Sequence, residues 1–491
     1  MTHPQKATII GGGVIGGGWA ARFLLNGWNV SVFDPDPQAE RKITEVLTNA
    51  RRSLPALYDK MLPGEGTLTF HDSMAEAVAG TSWIQESVPE KLALKHTILA
   101  QVQQHAPKDA ILGSSTSGFK PSQLQEGAKY PGQIIVAHPF NPVYLLPLVE
   151  LVPSANTPGD VTDRASQILT SLGMKPLVVR KEIDAHIADR MLEAVWREGL
   201  WLIKDGICTT QELDDAIRYG FGLRWAQMGL FETYRIAGGE AGMKHFLAQF
   251  GPALEWPWTK LMDVPEFTDE LVELIAGQSD EQSGHMSIRQ LERLRDDNLV
   301  GMMRALKQSG SGAGGTINTH EAALPTPQAT ELPAEIPAVL PVTGARQVPQ
   351  SWTDYNGHMN EARYLEAASL ATDRFMEMIG ADAAYIKTGK SYFTVESHVR
   401  YLDEVKEGEH LSITTQVLNG AGKKMHLFHR LFTPESDLVA TAETLLLHMD
   451  TNAHCTSLPS PEVAAKLGEY ASAHANLPAP DGAGRHVGQK T

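Results

Sequence analysis

Apolar residues in the first third of the chain form short runs that alternate with segments of helical spacing. The runs occupy residues 7–11, 29–33, 83–88, 110–113, 133–137 and 177–179. Apolar runs that alternate with helices are typical of parallel strands covered on both faces. The pattern therefore predicts an α/β domain over residues 1–183, with a doubly wound, mostly parallel sheet.

Beyond residue 183 the strand signals stop, and apolar residues recur at helical spacing as far as residue 307. The segment from Ile187 to Trp196 shows this spacing clearly. It predicts an all-α second domain over 184–307. Residues 308–335 are rich in Gly, Ser and Pro and offer few side chains for a core, which predicts a linker.

A third pattern follows the predicted linker, over residues 336–460. A strand near 341–349 and a helix over 361–379 precede strand-like runs at 391–402, 410–418, 424–433 and 438–450. One helix followed by antiparallel strands predicts an α+β domain with a sheet wrapped around a central helix. Residues 461–491 predict a C-terminal helix and, from Leu477, a disordered tail rich in Pro, Gly and Ala.

Composition limits the classes of partner and the compartment. The chain has 491 residues, a net charge of −16 and two cysteines. The negative charge disfavours nucleic acid and anionic membranes as partners, and the scarcity of cysteine indicates a reducing compartment. With neither a signal-peptide pattern nor an apolar run of transmembrane length, the sequence predicts a cytoplasmic protein.

The first predicted turn carries a glycine pattern that fits a dinucleotide. Gly11, Gly13 and Gly16 form G-x-G-x-x-G between a strand and a helix that opens at Val14 and Ile15. Such glycines permit a tight turn, approach to a pyrophosphate and close helix packing, and the helix N-terminus attracts phosphates. Asp34 ends the second strand, where it would bind ribose hydroxyls and repel a 2′-phosphate. We therefore predict a Rossmann domain that binds NAD rather than NADP.

Three polar residues near strand ends are suited to alcohol oxidation. His138 follows the run 133–137, and its ordinary pKa near neutrality suits a base for the hydroxyl proton. Glu150 would fix the histidine tautomer, and Ser117 would donate a hydrogen bond to the substrate oxygen. On these residues alone, a structural histidine and a surface carboxylate remain an equal alternative.

Short motifs around these residues resemble the 3-hydroxyacyl-CoA dehydrogenase family over residues 6 to about 300. The motifs are Ser114-Ser115-Thr116-Ser117, His138-Pro139-Phe140-Asn141-Pro142 and Leu148-Val149-Glu150, together with a cofactor loop that contains Glu86. The resemblance implies a catalytic His138–Glu150 pair, an active-site Ser117 and a cofactor contact from Glu86. It implies no metal site.

Other positions depart from that family and favour a free, zwitterionic hydroxy acid. Asp189 stands where the family has an amide that contacts substrate, and Ser115 replaces a family Asn. Arg224 lies in a loop similar to that of family members that oxidise free hydroxy acids, where it would bind a carboxylate. Aromatic residues that could hold a quaternary ammonium surround it in sequence: Trp196, Trp201, Trp225, Phe231, Tyr234, Trp256 and Trp258. Most of these rings would otherwise be helical core. Together these features resemble the carnitine dehydrogenases.

The stretch from Asp354 to Tyr364 resembles the D-x-x-G-H-x-N-x-x-x-Y signature of hotdog-fold acyl-CoA thioesterases. Asp354 would activate water or attack the thioester directly, and the N-terminus of the following helix would polarise the carbonyl. Asn360 either binds that carbonyl or caps the helix. His358 is open to a structural role.

The two resemblances together imply a bifunctional enzyme and, by analogy, a homodimer. One half would oxidise L-carnitine to 3-dehydrocarnitine with NAD, and the other would hydrolyse betainyl-CoA to glycine betaine and CoA. The alternative is a 3-hydroxyacyl-CoA or other 3-hydroxy acid dehydrogenase whose C-terminal part is a module for acyl-CoA binding or dimerisation. Asp189 and Arg224 argue against a CoA ester as the first substrate.

Overall fold

The computed structural model describes residues 5–60, 62–237, 246–248, 259, 266, 268–324, 339–349, 352–354, 356–433 and 438–485. The chain divides into two compact units. The first comprises residues 1–57 and 64–323, and the second comprises residues 58–63 and 324–491. Each unit has its own sheet.

The first unit is built on an eight-stranded sheet in the order β3-β2-β1-β4-β5-β6-β7-β8. All neighbouring strands are parallel except β6 and β7, which are antiparallel. This order reverses between β1 and β4, which is where a doubly wound sheet binds its ligand. The strands are β1 (Lys6–Ile10), β2 (Asn29–Phe33), β3 (Leu68–Phe70), β4 (Trp83–Glu86), β5 (Ile111–Ser114), β6 (Ile134–Pro139), β7 (Leu148–Val152) and β8 (Lys175–Val178).

Helices cover this sheet because its central strands are apolar on both faces. Ile9, Ile84, Leu112 and Val136 are fully buried, as expected for parallel strands between two helical layers. The helices are α1 (Val14–Leu24), α2 (Ala39–Ser53), α3 (Met74–Val78), α4 (Leu92–His105), α5 (Pro121–Leu124) and α6 (Gly159–Ser171).

The doubly wound, mostly parallel sheet predicted from the sequence is confirmed. Each of the six predicted runs contains a strand, and two further strands, β3 and β7, join them. β3 has only three residues and is partly exposed. The apolar run of β7 is interrupted by Glu150, whose carboxylate faces a histidine across the strand pair.

The predicted helical part of the first unit is also confirmed. Its helices are α7 (Ala188–Lys204), α8 (Thr210–Ala216), α9 (Gly222–Ala237), α10 (Asp269–Ser283) and α11 (Ile288–Ser309), with a π-helical stretch at Ile217–Phe221. A capping box at Thr209 and Glu212 starts α8, and another at Ser287 and Gln290 starts α11. Helix α9 is broken at Gly229, whose φ is 73°.

The predicted linker over 308–335 is wrong for its first half. Residues Gly312–Ala323 form a helix, α12, within the first unit. A Cβ at Gly314 would lie 2.0 Å from the carbonyl carbon of Leu306 on α11, so only glycine permits this close approach. Ile317 and His320 of α12 are buried. Close packing therefore outweighs the low helix propensity of glycine here.

The second unit is a six-stranded antiparallel sheet with a long helix packed against it, which confirms the predicted α+β domain. The strand order is β10-β13-β12-β11-β9, and β14 pairs with β13. The strands are β9 (Val342–Gln347), β10 (Lys390–Tyr401), β11 (His410–Asn419), β12 (Lys424–Phe432), β13 (Ala440–Asp450) and β14 (Cys455–Thr456). The helices are α13 (Glu361–Met378), α14 (Ala383–Ile386) and α15 (Pro461–His474).

The face of α13 towards the sheet explains why this helix is central. Ala367, Ala371 and Phe375 are buried in one line at helical spacing, and the small alanines allow the helix to approach the strands. Leu411, Ile413 and Leu427 supply part of the opposing surface.

Residues 478–485 of the C-terminal tail form specific contacts, contrary to the prediction of disorder for this segment. The Pro478 carbonyl accepts a hydrogen bond from Gln416, and the backbone N–H of Gly484 donates to Glu443. Asp481 forms an ion pair with Arg400 on β10. Among the residues that the structure describes, no helix has the length and apolar character needed to cross a membrane.

Candidate active sites

The turn between β1 and α1 has the geometry of a dinucleotide cradle. Gly11 has a φ of 102°, and a Cβ there would lie 2.7 Å from the Ser87 carbonyl oxygen. A Cβ at Gly16 would lie 1.8 Å from the Gly11 carbonyl oxygen. Around Gly13, by contrast, a Cβ would meet no described atom within 4 Å. The first and last glycines are thus required by packing, whereas the middle glycine leaves its backbone open to a ligand.

The N-terminus of α1 lies beside this open space. Val14 and Ile15 form its first turn, and within the described residues no side chain caps this end. Its first backbone N–H groups therefore remain available to an anion. These residues fit the pyrophosphate of a dinucleotide.

Asp34 lines the cavity next to this turn. Its carboxylate accepts hydrogen bonds from the backbone N–H groups of Gly12 and Asp36. The cavity encloses about 400 Å³ and is also lined by Gly11, Gly12, Gly13, Phe33, Lys42, Ser87, Val88 and Pro89. A carboxylate in this place suits ribose hydroxyls and repels a 2′-phosphate.

Glu86 occupies a different position from the one predicted for a cofactor contact. Its side chain is fully buried, where it forms an ion pair with the buried Lys95 at 2.9 Å. Its carboxylate also accepts hydrogen bonds from Ser114 Oγ and the backbone N–H of Val88. Glu86 therefore holds the loop that lines the cavity, and Glu86 itself is not one of the residues that line it.

His138 and Glu150 form a buried pair across the antiparallel strands β6 and β7. They lie directly opposite in the strand register. The Nδ1–H of His138 donates to Oε2 of Glu150 at 3.1 Å. This bond fixes the tautomer that leaves the Nε2 lone pair free to accept a proton. The sequence-based alternative of a surface carboxylate is excluded because Glu150 is fully buried.

The second oxygen of Glu150 holds the start of α7. Oε1 accepts hydrogen bonds from the backbone N–H groups of Ile187 and Ala188, each at 2.9 Å. Burial raises the pKa of Glu150, but the hydrogen bonds from His138, Ala188 and Ile187 outweigh burial and hold it below its usual value. Glu150 is thus ionised at neutral pH.

His186 belongs to this site and was missed by the sequence analysis. Its side chain is fully buried, and its Nε2–H donates to the Thr116 carbonyl at 3.1 Å. Its ring centroid lies 5.5 Å from that of His138. Ala185 and His186 have φ values of 59° and 52°, an uncommon conformation for residues other than glycine. Two such residues in succession are a signal of a constrained segment, but that signal exists only in the structure.

Ser117 lies on an exposed turn after β5, beside the His138 region. Glu90 holds this turn, since its Oε1 accepts hydrogen bonds from Thr116 Oγ1 and from the Gly118 backbone N–H. The turn meets His186 through the Thr116 carbonyl. Among the described residues, no hydrogen bond joins Ser117 to His138.

Asp189 lies on the other side of the His138 ring, at the start of α7. Its Oδ2 is 3.8 Å from Nε2 of His138. Its side chain is only 17% exposed. The structure therefore places the carboxylate of Asp189 near the imidazole nitrogen that is not bonded to Glu150.

Among the described residues, the aromatic side chains near Arg224 in sequence include two separate ring pairs. Trp225 packs on Phe221 with ring centroids 4.6 Å apart, whereas Tyr234 stacks on Phe246 at 4.6 Å. The break at Gly229 separates the two ring pairs. Arg224 and Phe231 are exposed, and Trp256 and Trp258 lie outside the described residues.

The predicted thioesterase site is a tight turn before α13. Oδ1 of Asp354 accepts hydrogen bonds from the backbone N–H groups of Asn356 and His358, at 2.8 Å and 3.3 Å. The side chain of Asn360 accepts from the Ala362 N–H, so Asn360 caps α13. His358 Nε2 lies 3.2 Å from Glu404. Of the two roles that the sequence left open for Asn360, capping is the one observed.

Comparison with known proteins also divides the chain into a dehydrogenase part and a thioesterase part. Residues 6–183 match the family described as 3-hydroxyacyl-CoA dehydrogenase, NAD binding domain, and 186–270 match its C-terminal domain. Residues 348–467 match the thioesterase-like superfamily. A solved structure of an NAD⁺-dependent 5-formyl-3-hydroxy-2-methylpyridine 4-carboxylic acid 5-dehydrogenase is 25% identical, with a TM-score of 0.53 over 62% of this chain and 99% of its own.

The fold and sites thus define an NAD-dependent dehydrogenase joined to a thioesterase. A protein of Ruegeria pomeroyi named L-carnitine dehydrogenase/betainyl-CoA thioesterase is 63% identical over 98% of this chain and 99% of its own length. Its namesake in Agrobacterium fabrum is 55% identical over 98% of both chains. The chain belongs to this family of fused L-carnitine dehydrogenase/betainyl-CoA thioesterases, and its cofactor is NAD.

Proposed function

We propose that the first unit oxidises L-carnitine to 3-dehydrocarnitine with NAD and that the second hydrolyses betainyl-CoA to glycine betaine and CoA. Relatives that carry both activities in their names match this chain over nearly its whole length. The observation that carries the dehydrogenase activity is the buried hydrogen bond between His138 and Glu150.

His138 acts as the general base of the oxidation. Because its Nδ1–H is held by Glu150, Nε2 accepts the proton of the substrate hydroxyl group. Glu150 stabilises the imidazolium that results, and its own ionisation is secured by three donors. NAD, when bound, takes the hydride from the carbinol carbon.

The remaining residues of this site bind cofactor and substrate. Gly11, Gly13, Val14, Ile15 and Gly16 form the pyrophosphate cradle, and Asp34 binds the ribose. Ser117 donates a hydrogen bond to the substrate oxygen. Asp189 contacts the substrate beside Nε2.

Arg224 is our proposed ligand for the substrate carboxylate. Its exposure leaves the guanidinium open to an anion. Trp225, Phe231 and Tyr234, on the same helix, are the aromatic residues proposed to contact the substrate.

Asp354 is the catalytic carboxylate of the thioesterase half. It lies in a turn whose backbone is fixed by its own Oδ1, next to the N-terminus of α13. From there it either activates water or attacks the thioester carbonyl. Asn360 supports the site by capping the helix.

A homodimer is proposed from an exposed sheet edge. β10 is at one end of the strand order, and residues 393–397 on it are exposed. Phe393, Val395 and Tyr401 expose large apolar side chains on the same strand. An unpaired edge with apolar residues suits a second copy of the chain.

A cytoplasmic location is supported by the presence of only two cysteines in the sequence.

The first test is NADH formation by the full chain with L-carnitine, compared with 3-hydroxybutyryl-CoA at equal concentration. We expect turnover of L-carnitine and little turnover of the CoA ester, because Asp189 stands where the parent family has an amide. Turnover of the CoA ester alone would establish the alternative dehydrogenase and would remove carnitine as the substrate.

A further inference from the structure

Asp189 places a second carboxylate beside the imidazole of His138. Glu150 binds Nδ1 at 3.1 Å, whereas Oδ2 of Asp189 lies 3.8 Å from Nε2, the nitrogen that receives the substrate proton. The imidazole is therefore flanked by an acid at each nitrogen. Only the Glu150 contact is a hydrogen bond.

The structure shows why Asp189 keeps this position. It lies in the first turn of α7, where the helix dipole favours a carboxylate. The preceding residues Ile187 and Ala188 are bonded to Glu150, so the start of the helix is tied to the catalytic pair. These bonds fix the backbone from which the side chain of Asp189 extends towards Nε2.

The described neighbours of Asp189 supply no obvious compensating cation. His186 is fully buried, and burial lowers its pKa, so this ring is neutral near pH 7. Arg190, the next residue, is exposed, and no ion pair joins it to Asp189 among the described residues. The side chain of Asp189 is largely withdrawn from water, which makes its charge costly to leave uncompensated.

A carboxylate here disfavours an ordinary hydroxyacyl substrate. A hydroxyl oxygen bonded to Nε2 at about 2.8 Å lies at most about 7 Å from Asp189 Oδ2. That oxygen gains negative charge as its proton leaves, and a nearby anion opposes this change. An uncharged or anionic substrate therefore meets repulsion at the reacting atom.

We propose that Asp189 selects a substrate with a quaternary ammonium group, by attracting that cation and by repelling substrates that lack it. This inference rests on the proposed oxidation of L-carnitine. In that molecule one methylene separates the ammonium nitrogen from the carbinol carbon, so both groups reach Asp189 together. The substrate itself then supplies the positive charge that offsets Asp189 during proton transfer. Selection thus has an attractive and a repulsive part.

The test compares L-carnitine with an isostere of the same spatial arrangement, 3-hydroxy-5,5-dimethylhexanoate, in which a quaternary carbon replaces the ammonium nitrogen. This analogue keeps the hydroxyl and carboxylate groups but lacks the positive charge. For the wild-type chain and Asp189→Asn, kcat/KM is measured for both substrates, together with the Kd of NAD. We expect Asp189→Asn to reduce kcat/KM for L-carnitine by roughly 100-fold and to leave or raise that for the isostere. The Kd of NAD should not change.

Two further variants make the result specific. Asp184→Asn removes an exposed acid near the same segment and should not alter the substrate ratio. Asp189→Glu keeps the charge and should retain the preference for L-carnitine. Where turnover of the isostere is too slow to measure, its inhibition constant against L-carnitine is compared between wild type and Asp189→Asn.

The outcomes separate this inference from the function on which it rests. If the wild-type chain does not oxidise L-carnitine, the proposed function fails. If it does oxidise L-carnitine, and Asp189→Asn lowers kcat/KM equally for both substrates, the proposed selection by charge is overturned. If Asp189→Asn also loses affinity for NAD, the Asp189→Glu variant decides. A role that does not depend on charge would lower kcat/KM for both substrates equally in Asp189→Glu.

Discussion

At the residue scale, the dehydrogenase site is organised by the buried hydrogen bond between His138 and Glu150. The pairing of His138 with Glu150 followed from proton-transfer chemistry and from the family motif, and the strand register brings the two together. The burial of Glu86 against Lys95 could not be predicted, because a sequence does not reveal which way a carboxylate points. His186 was missed because its place depends on a left-handed backbone that no motif indicates.

Glu150→Gln tests the proposed role of this carboxylate. The amide retains the shape but carries no charge to stabilise the imidazolium, so we expect kcat to fall by roughly 10³-fold or more. The Kd of NAD should be unchanged.

The measurement is the pH dependence of kcat, with Glu126→Gln as the control because Glu126 is an exposed carboxylate in the same domain. A Glu150→Gln enzyme with wild-type kcat at every pH would show that the buried pair is only structural.

At the element scale, long regular segments were predictable and short or unusual ones were not. All six apolar runs became strands, whereas β3 is too short to give a pattern and β7 is interrupted by its own functional residue. The sequence predicts a linker where helix α12 lies, because the segment is rich in glycine and glycine is a poor helix former. Its glycines serve the contact with α11, which only the tertiary structure reveals.

The helix–sheet contact of the second unit contains a buried histidine that should make its stability depend on pH. His429 Nε2 lies 2.9 Å from Thr372 Oγ1 on α13, and its Nδ1 lies 2.8 Å from Thr415 Oγ1 on β11. Because Thr372 donates its own proton to the Ala368 carbonyl, it accepts from Nε2–H, and Nδ1 accepts from Thr415. These contacts satisfy a neutral ring, and burial lowers the pKa of His429 to about 4.

The folded unit therefore binds this proton less readily than the unfolded chain does. The stability that the neutral His429 side chain contributes to the folded unit is fully present above pH 6.5, the usual pKa of histidine. It is lost as the pH falls towards about 4. We expect the free energy of unfolding to decrease over this range by up to about 3 kcal/mol from this group. Urea unfolding of the full chain across the range measures it.

His429→Gln should flatten that dependence, whereas His410→Gln, which replaces an exposed histidine of the same unit, should not. An unchanged slope in His429→Gln would mean that other groups govern acid stability.

At the scale of the whole molecule, two units with separate cores carry the two proposed activities. The clusters around Leu112 and Val136 belong to the first unit, and those around α13 belong to the second. The three-part order of α/β, all-α and α+β regions was predictable from pattern alone, because the hydrophobic period changes along the chain. The C-terminal limit of the first unit was not predictable from this pattern, because α12 extends the unit to Ala323.

Separate cores predict separable activities. Asp354→Ala should abolish betainyl-CoA hydrolysis and leave NADH formation with L-carnitine within about twofold of wild type, because the two sites share neither a core nor side-chain partners among the described residues. His138→Ala should abolish NADH formation with L-carnitine and leave betainyl-CoA hydrolysis nearly unchanged. Both activities are assayed on the full chain, and a large loss of NADH formation in Asp354→Ala would reveal coupling between the units.

The antiparallel pairing of β6 and β7 also constrains how this enzyme can change by insertion and deletion. His138 and Glu150 meet only because their strands keep one register. A single residue gained or lost within β7 would turn Val149 or Leu151 towards the imidazole and Glu150 away, since side chains alternate along a strand. The loop between the strands can vary in length without this effect. Natural length variation among active relatives should therefore be found between the two strands and be absent within them.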